Sequence, residues 1–152
     1  MKKLREIMRE GFIFALQRTA TVAEAADLMT KNNVGIVAVL EGERLVGVFS
    51  ERDVVRRVVV RGLDPRQVKL EEVMTSELMI ADENEDYQTA MRKMDQANVR
   101  HLPIVRGGRL VSMLSIRDLM RVDMQSMGEE IQFMREYLYH VPSDVARPRD
   151  KS

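Results

Sequence analysis

Two β-α-β-β-α units of α/β (α+β) class, followed by a C-terminal helix, are expected from this chain on three grounds. The sequence matches itself at an offset of 65 residues, both copies show the same succession of helical and strand periodicity, and a heptad of apolar residues follows the second copy. Twelve of the 32 positions from Ala25 to Arg56 are identical to their counterparts from Ala90 to Arg121, among them Asn33/Asn98, Val34/Val99, Gly42/Gly107, Ser50/Ser115 and Asp53/Asp118. Upstream, Arg5-Glu6-Ile7-Met8 resembles Glu71-Glu72-Val73-Met74 at an offset of 66, so one residue was gained or lost between them. A period this long exceeds the units of solenoids, and each copy reads as a small domain that packs against its sister. The division that follows is residues 1–65, 66–122 and a helical extension over 123–152.

Each copy opens with an amphipathic helix. Val22, Ala25, Ala26 and Met29 recur at i, i+3, i+4 and i+7, as do Tyr87, Ala90, Met91 and Met94. Thr21 with Glu24 makes a capping box before the first of these helices, and Asp86 is the N-cap of the second. Hairpins follow: apolar runs 35–40 and 102–105 are joined through Glu41-Gly42-Glu43 and Arg106-Gly107-Gly108 to runs 45–49 and 110–114. Their near-continuous apolar character says that the strands are covered on both faces. A second helix is expected from about Glu51 to Arg61, ended by Gly62 with Pro65 beyond, and from about Ile116 onward. A further short strand precedes each first helix, around 13–16 and 78–81.

Composition excludes several functions. The 152 residues contain no cysteine and two histidines, which rules out thiolate chemistry, disulfides and Cys-type zinc sites. Twenty-four basic side chains cancel 24 acidic ones, so no global field draws the chain to nucleic acid or an anionic membrane, and any anionic partner is small and met locally. No apolar run approaches the roughly 20 residues of a membrane span, and the Met1-Lys2-Lys3 start leads into charged residues, so a cytoplasmic protein is expected. There is no nucleophile-base-orienter set and no Walker-type phosphate loop, which argues against an enzyme.

The duplicated β-α-β-β-α units, the Glu72-Val73-Met74-Thr75 phrase, the Arg-Leu-Val hairpins and the two Ser-x-Arg-Asp closures together resemble a tandem pair of CBS domains, named after cystathionine beta-synthase and called a Bateman module. The resemblance covers roughly residues 4–122. It implies two units packed through their sheets about a pseudo-twofold axis. It also implies two clefts that bind adenosine-containing ligands such as AMP, ADP, ATP, S-adenosylmethionine or NAD, and a homodimer of pairs acting on a regulated protein partner.

The residues that would meet such a ligand are Ser50, Arg52 and Asp53 in the first copy and Ser115, Arg117 and Asp118 in the second. An ionised Asp is acceptor-only and suits both hydroxyls of a ribose, while the Ser hydroxyl and free helix-start N–H groups suit a phosphate. Ser-x-x-Asp is also chemically a capping box, and the two roles can coexist. Arg100, His101 and Pro103 lie in a segment that resembles the approach to the family's middle strand, whose backbone helps line the adenine pocket, and Arg100 and His101 suit phosphate oxygens. The first copy has Gly35, Ile36 and Ala38 there, and the second has Ser112 where Gly47 stands, so the clefts should differ. Arg52 and Arg117 favour a phosphate-bearing ligand over the cationic S-adenosylmethionine. Arg56, Arg57 and Arg61 either extend that basic face or pair with local carboxylates. Asp82, Glu83, Glu85 and Asp86 read as a solvated turn that favours the next helix N-terminus rather than a site for a hard cation.

Met120, Met124, Met127, Ile131, Met134 and Leu138 are spaced 4, 3, 4, 3, 4, a heptad seam that packs either on its own module or, the favoured reading, on a second subunit, with Gly128 as the place for a kink or break. Phe133 and Tyr137 add an aromatic i, i+4 pair, and the stretch beyond Pro142 reads as a frayed tail. Two functions remain open: a non-enzymatic sensor of adenosine nucleotides, or an assembly module with degenerate pockets.

Overall fold

The computed structural model describes residues 2–11 and 13–138. The expected tail beyond Pro142 and the side chains of Phe133 and Tyr137 lie outside the described parts. Residues 1–116 form one compact unit, and residues from Arg117 onward form a second.

Within the first unit the two copies repeat each other from the leading helix through the third strand. One-turn helix α1 (Leu4–Ile7) leads to β1 (Ala15–Gln17), α2 (Val22–Asn32), β2 (Ile36–Glu41), β3 (Arg44–Ser50) and the single turn α3 (Glu51–Asp53). The second copy gives α4 (Leu70–Val73), β4 (Ala81–Asp82), α5 (Tyr87–Ala97), β5 (His101–Arg106) and β6 (Arg109–Ser115), and α6 runs from Ile116 to Leu138. Each copy holds a three-stranded sheet with its second strand central, parallel to the first and antiparallel to the third. The third strands, β3 and β6, are in contact, which brings the two sheets together.

Local chemistry explains the elements. Thr21 Oγ1 accepts from the Glu24 N–H at 3.2 Å while the Glu24 carboxylate accepts from the Thr21 N–H at 2.9 Å, which closes the expected capping box. Asp86 Oδ1 caps α5 by accepting from the Thr89 N–H at 2.8 Å. Both helices end on an asparagine in the left-handed conformation, Asn33 at φ 52° and Asn98 at φ 53°. Three successive residues are buried in each central strand, 37–39 in β2 and 102–104 in β5. Since neighbouring strand residues point to opposite faces, both faces are covered, as the apolar runs implied.

Three details differ from the sequence expectation. The helix from Glu51 to Arg61 is α-helical only over its first turn and becomes a π-helix over Val54–Val59, where Val60 N bonds Val55 O at 3.0 Å. Five of the seven residues from Val54 to Val60 are valine, and β-branched side chains crowd the i+3 and i+4 positions of an α-helix, which the wider turn relieves. The first strands are displaced towards the C-terminus and shorter, and β4 has two residues against three in β1. Helix α6 is continuous through Gly128, because one glycine costs only about 1 kcal/mol in a long helix.

The short leading helices cross over between the copies. Leu70 N bonds Ala20 O at 2.8 Å and Glu71 N bonds Arg18 O at 3.0 Å, so α4 of the second copy is held by the first. Leu4 N bonds Glu85 O and Arg5 N bonds Glu83 O, both at 2.9 Å, so α1 is held by the second copy. Leu70 and Val73 complete a core with Val22, Met29, Val37, Phe49 and Val58, and Leu4 is likewise fully buried.

Candidate functional site

The candidate residues of the first copy meet where β3 passes into α3. Ser50, in extended conformation, caps the turn: its Oγ accepts from the Asp53 N–H at 3.2 Å, and Asp53 Oδ2 accepts from the Ser50 N–H at 2.9 Å and from its hydroxyl at 3.0 Å. The capping reading of Ser-x-x-Asp is therefore realised here. The other oxygen, Oδ1, faces Arg57 Nε at 3.5 Å. A carboxylate has about four lone-pair directions, so these contacts leave acceptor capacity on Oδ1. Arg52 is exposed and Asp53 half-buried, and the neighbouring Glu51 N–H donates to the Gly35 carbonyl at 3.0 Å.

Arg57 belongs to this junction rather than to a free basic face. Its Nη1 donates to the carbonyls of Val73 at 3.0 Å and Met74 at 2.9 Å, which clamps the end of α4 to the helix after β3. Arg56 and Arg61 are exposed. Sequence reasoning missed the clamp because its acceptors are backbone atoms 16 and 17 residues away. Val48 and Thr75 also exchange two backbone hydrogen bonds at this crossing, and a Cβ on Gly47 would stand 2.5 Å from Met74 Sδ and 3.0 Å from Thr75 O. A larger residue there would have to displace the Met74 side chain and crowd the Thr75 carbonyl.

In the second copy the Ile116 N–H donates to Arg100 O at 2.7 Å, the counterpart of the Glu51 to Gly35 bond. His101 lies opposite Ser115 in the β5–β6 register and Pro103 opposite Met113, so Arg100, His101 and Ser115 meet at one end of the sheet. Arg100 is exposed, His101 and Ser115 are half-buried and Pro103 is buried. Pro103 replaces Ala38, whose N–H bonds Phe14 O at 2.8 Å in the first copy; proline has no N–H to repeat that bond, which is why β4 pairs only from Ala81. In the second unit, within the first turn of α6, Arg117 is exposed and Asp118 half-buried.

The acidic turn at 82–86 is occupied by protein partners. Arg106 makes two 2.8 Å hydrogen bonds to Glu83 and one of 2.6 Å to Glu10, Lys93 pairs with Glu85, Asp82 accepts from the Asn84 N–H at 2.9 Å, and Asp86 caps α5. The Arg106 hydrogen bonds hold Glu10 and Glu83 below the usual carboxylate range, and the Thr89 N–H does the same for Asp86. Among the described residues no group of three His, Cys, Asp or Glu is placed to hold a metal ion, and no helix is long and apolar enough to cross a membrane.

Known proteins share this architecture. Residues 4–60 and 70–125 each match the CBS domain family. A mitochondrial CBS domain-containing protein of Arabidopsis thaliana, CBSX3, is 31% identical over 123 residues, 78% of this chain, and the match spans 60% of the plant protein's length. A solved Burkholderia ambifaria protein with CBS domains superimposes with a TM-score of 0.78 at 26% identity, over 82% of this chain and 95% of that one. A CBS domain pair crystallised with 5′-methylthioadenosine and S-adenosyl-L-methionine gives a TM-score of 0.74 over 82% of this chain and 98% of its own; at 22% identity that likeness concerns the fold alone. Two matched stretches of one family, carried by two copies of one β-α-β-β-α unit, make the conclusion direct: the chain belongs to the CBS domain family, as a tandem pair.

Proposed function

We propose that this CBS pair is a non-enzymatic regulatory module that binds an adenosine-containing nucleotide (AMP, ADP, ATP or NAD) and transmits occupancy through a homodimer to a protein it regulates. The observation that carries the reading is the twofold Ser-x-Arg-Asp at the junction of third strand and helix, with Asp53 presented beside the end of the central strand. A carboxylate there accepts ribose hydroxyls, and Arg52, Arg100 and Arg117 supply cationic donors for phosphate. The adenosine ligands of the structural relative are of the class proposed, although its S-adenosyl-L-methionine carries a cation where these arginines favour a phosphate.

Isothermal titration with AMP, ADP, ATP, NAD and S-adenosylmethionine tests this. Saturable binding of at least one phosphate-bearing ligand is expected, weakened more than tenfold by Asp118→Ala; silence from all five at millimolar concentration rejects it. One observation favours a second reading, an assembly module with degenerate pockets: Asp53 is already engaged by Ser50 and Arg57. Under that reading nucleotides leave the thermal melt unmoved while self-association persists.

A further inference from the structure

The geometry points to α6 as the dimer seam of this protein: we infer that it pairs with α6 of a second copy of the chain as a parallel two-stranded coil. The inference deepens the dimer part of the reading above and is independent of which ligand binds.

Helix α6 has 23 residues and is continuous, so it spans about 34 Å. Met120, Met124, Met127, Ile131 and Met134 fall on one stripe at alternating spacings of 4 and 3, and they are 47%, 66%, 52%, 44% and 45% exposed. A stripe of large apolar side chains open to solvent marks an interaction surface. A strict period of 3.5 residues is what two helices need to keep one seam in contact while they wind round each other, so the spacing itself names a helix as the occupant. With Met124 and Ile131 at heptad position a, the d positions hold Met120, Met127 and Met134. Unbranched methionine fills such layers adaptably.

Charge settles the orientation and the partner. Position e carries Arg121, Gly128 and Arg135, and position g carries Asp123, Glu130 and Tyr137 in the sequence. In a parallel pair, g faces e of the partner five residues on, which sets Glu130 against Arg135 of the other chain. An antiparallel pair with every layer engaged faces e with e and g with g, which sets Arg121 against Arg135 and Glu130 against itself. Like charges in register oppose that arrangement, and in the parallel pair the same helix supplies both members of the Glu130–Arg135 contact, made twice by the symmetry.

The chain has no cysteine, so single-cysteine variants of the full protein report the geometry directly. Light scattering is expected to give twice the 17.5 kDa chain mass for the wild type and a single chain mass for the Met124→Glu, Ile131→Glu double variant, with the thermal melt of its CBS pair retained. Under mild oxidation Met124→Cys and Met134→Cys should each cross-link to itself. Cross-linking only when those two variants are mixed overturns the parallel pair. A dimer that survives both glutamates overturns the seam and leaves the dimer reading standing; a monomeric wild type overturns both.

Discussion

The two copies have the same elements but opposite charge where the leading helices dock. In the first, Arg18 lies 3.3 Å from Glu41 and 3.0 Å from Glu71 of the docked α4. At the matching positions of the second, Glu83 meets Arg106, and the docked α1 brings Arg5, whose charge adds to the depression of the Glu83 pKa. Every member of the triad has changed sign. If the leading helices exchanged partners, Arg5 would face Arg18 and Glu71 would face Glu83. The repeat keeps one fold in both halves and uses charge to make the two docking reactions distinct, which is how near-identical surfaces avoid mispairing. A second contrast lies where the segment after each leading helix passes a third strand. Gly47 leaves room for the Met74 side chain and the Thr75 carbonyl, whereas Ser112 donates its hydroxyl to Arg9 O at 2.9 Å.

The largest expected effect tests whether the two dockings are equivalent. Leu4 and Leu70 are both fully buried, so Leu4→Ala and Leu70→Ala should each lower stability by about 2–5 kcal/mol in denaturant melts. A loss confined to one of them would show that only one crossover is structural. Next, Gly47→Ala forces its Cβ against Met74 and Thr75 and should cost about 1–3 kcal/mol, while Ser112→Ala loses one hydrogen bond, about 1 kcal/mol. Equal costs would erase that contrast.

The charge inversion is weaker per contact. Glu71→Arg should lower stability by about 0.5 kcal/mol, Arg18→Glu and Glu41→Arg added to it should restore most of that, and both effects should shrink in 1 M salt, since Arg18 and Glu71 are partly exposed. Additive single effects would remove the pairing argument. The smallest effect concerns acid. Asp86 caps α5 with a titrating group where Thr21 caps α2 with a neutral one. Its folded pKa is depressed, so its contribution is complete above the ordinary carboxylate value near 4 and is lost as pH falls through the folded value. Asp86→Thr should therefore flatten the fall in melting temperature below about pH 4; an unchanged profile would assign that fall to Glu10 and Glu83 instead.

What could be read in the sequence was local. Thr21 with Glu24, Asp86 and the Ser50–Asp53 box cap where their spacing said, and the Gly42 and Gly107 hairpins turn where expected. What could not be read joins distant residues: the crossover of α1 and α4, and the Arg57 clamp on the Val73 and Met74 carbonyls. The change of offset from 65 to 66 at Met8/Met74 was the one trace that the leading segments are separate pieces. The π-helix was hidden for another reason: the valine run of 54–60 does not change apolar periodicity, only the width of turn that it tolerates. At the site, both readings of Ser-x-x-Asp were visible, and so was the i, i+4 spacing that brings Arg57 to within 3.5 Å of the second carboxylate oxygen of Asp53.

The difference between copies bears most directly on the proposed ligand binding. The second copy places Arg100 and His101 where the first has Gly35 and Ile36, and it lacks a strand hydrogen bond at Pro103 that the first makes at Ala38. The most direct measurement is a titration of AMP and of ATP into three proteins side by side: wild type, Asp53→Ala, and the Arg100→Ala, His101→Ala double variant. Saturable binding to wild type, reduced more by the second-copy lesion than by Asp53→Ala, is the expected result. Absence of binding to wild type at millimolar nucleotide, or binding that neither lesion changes, would contradict it.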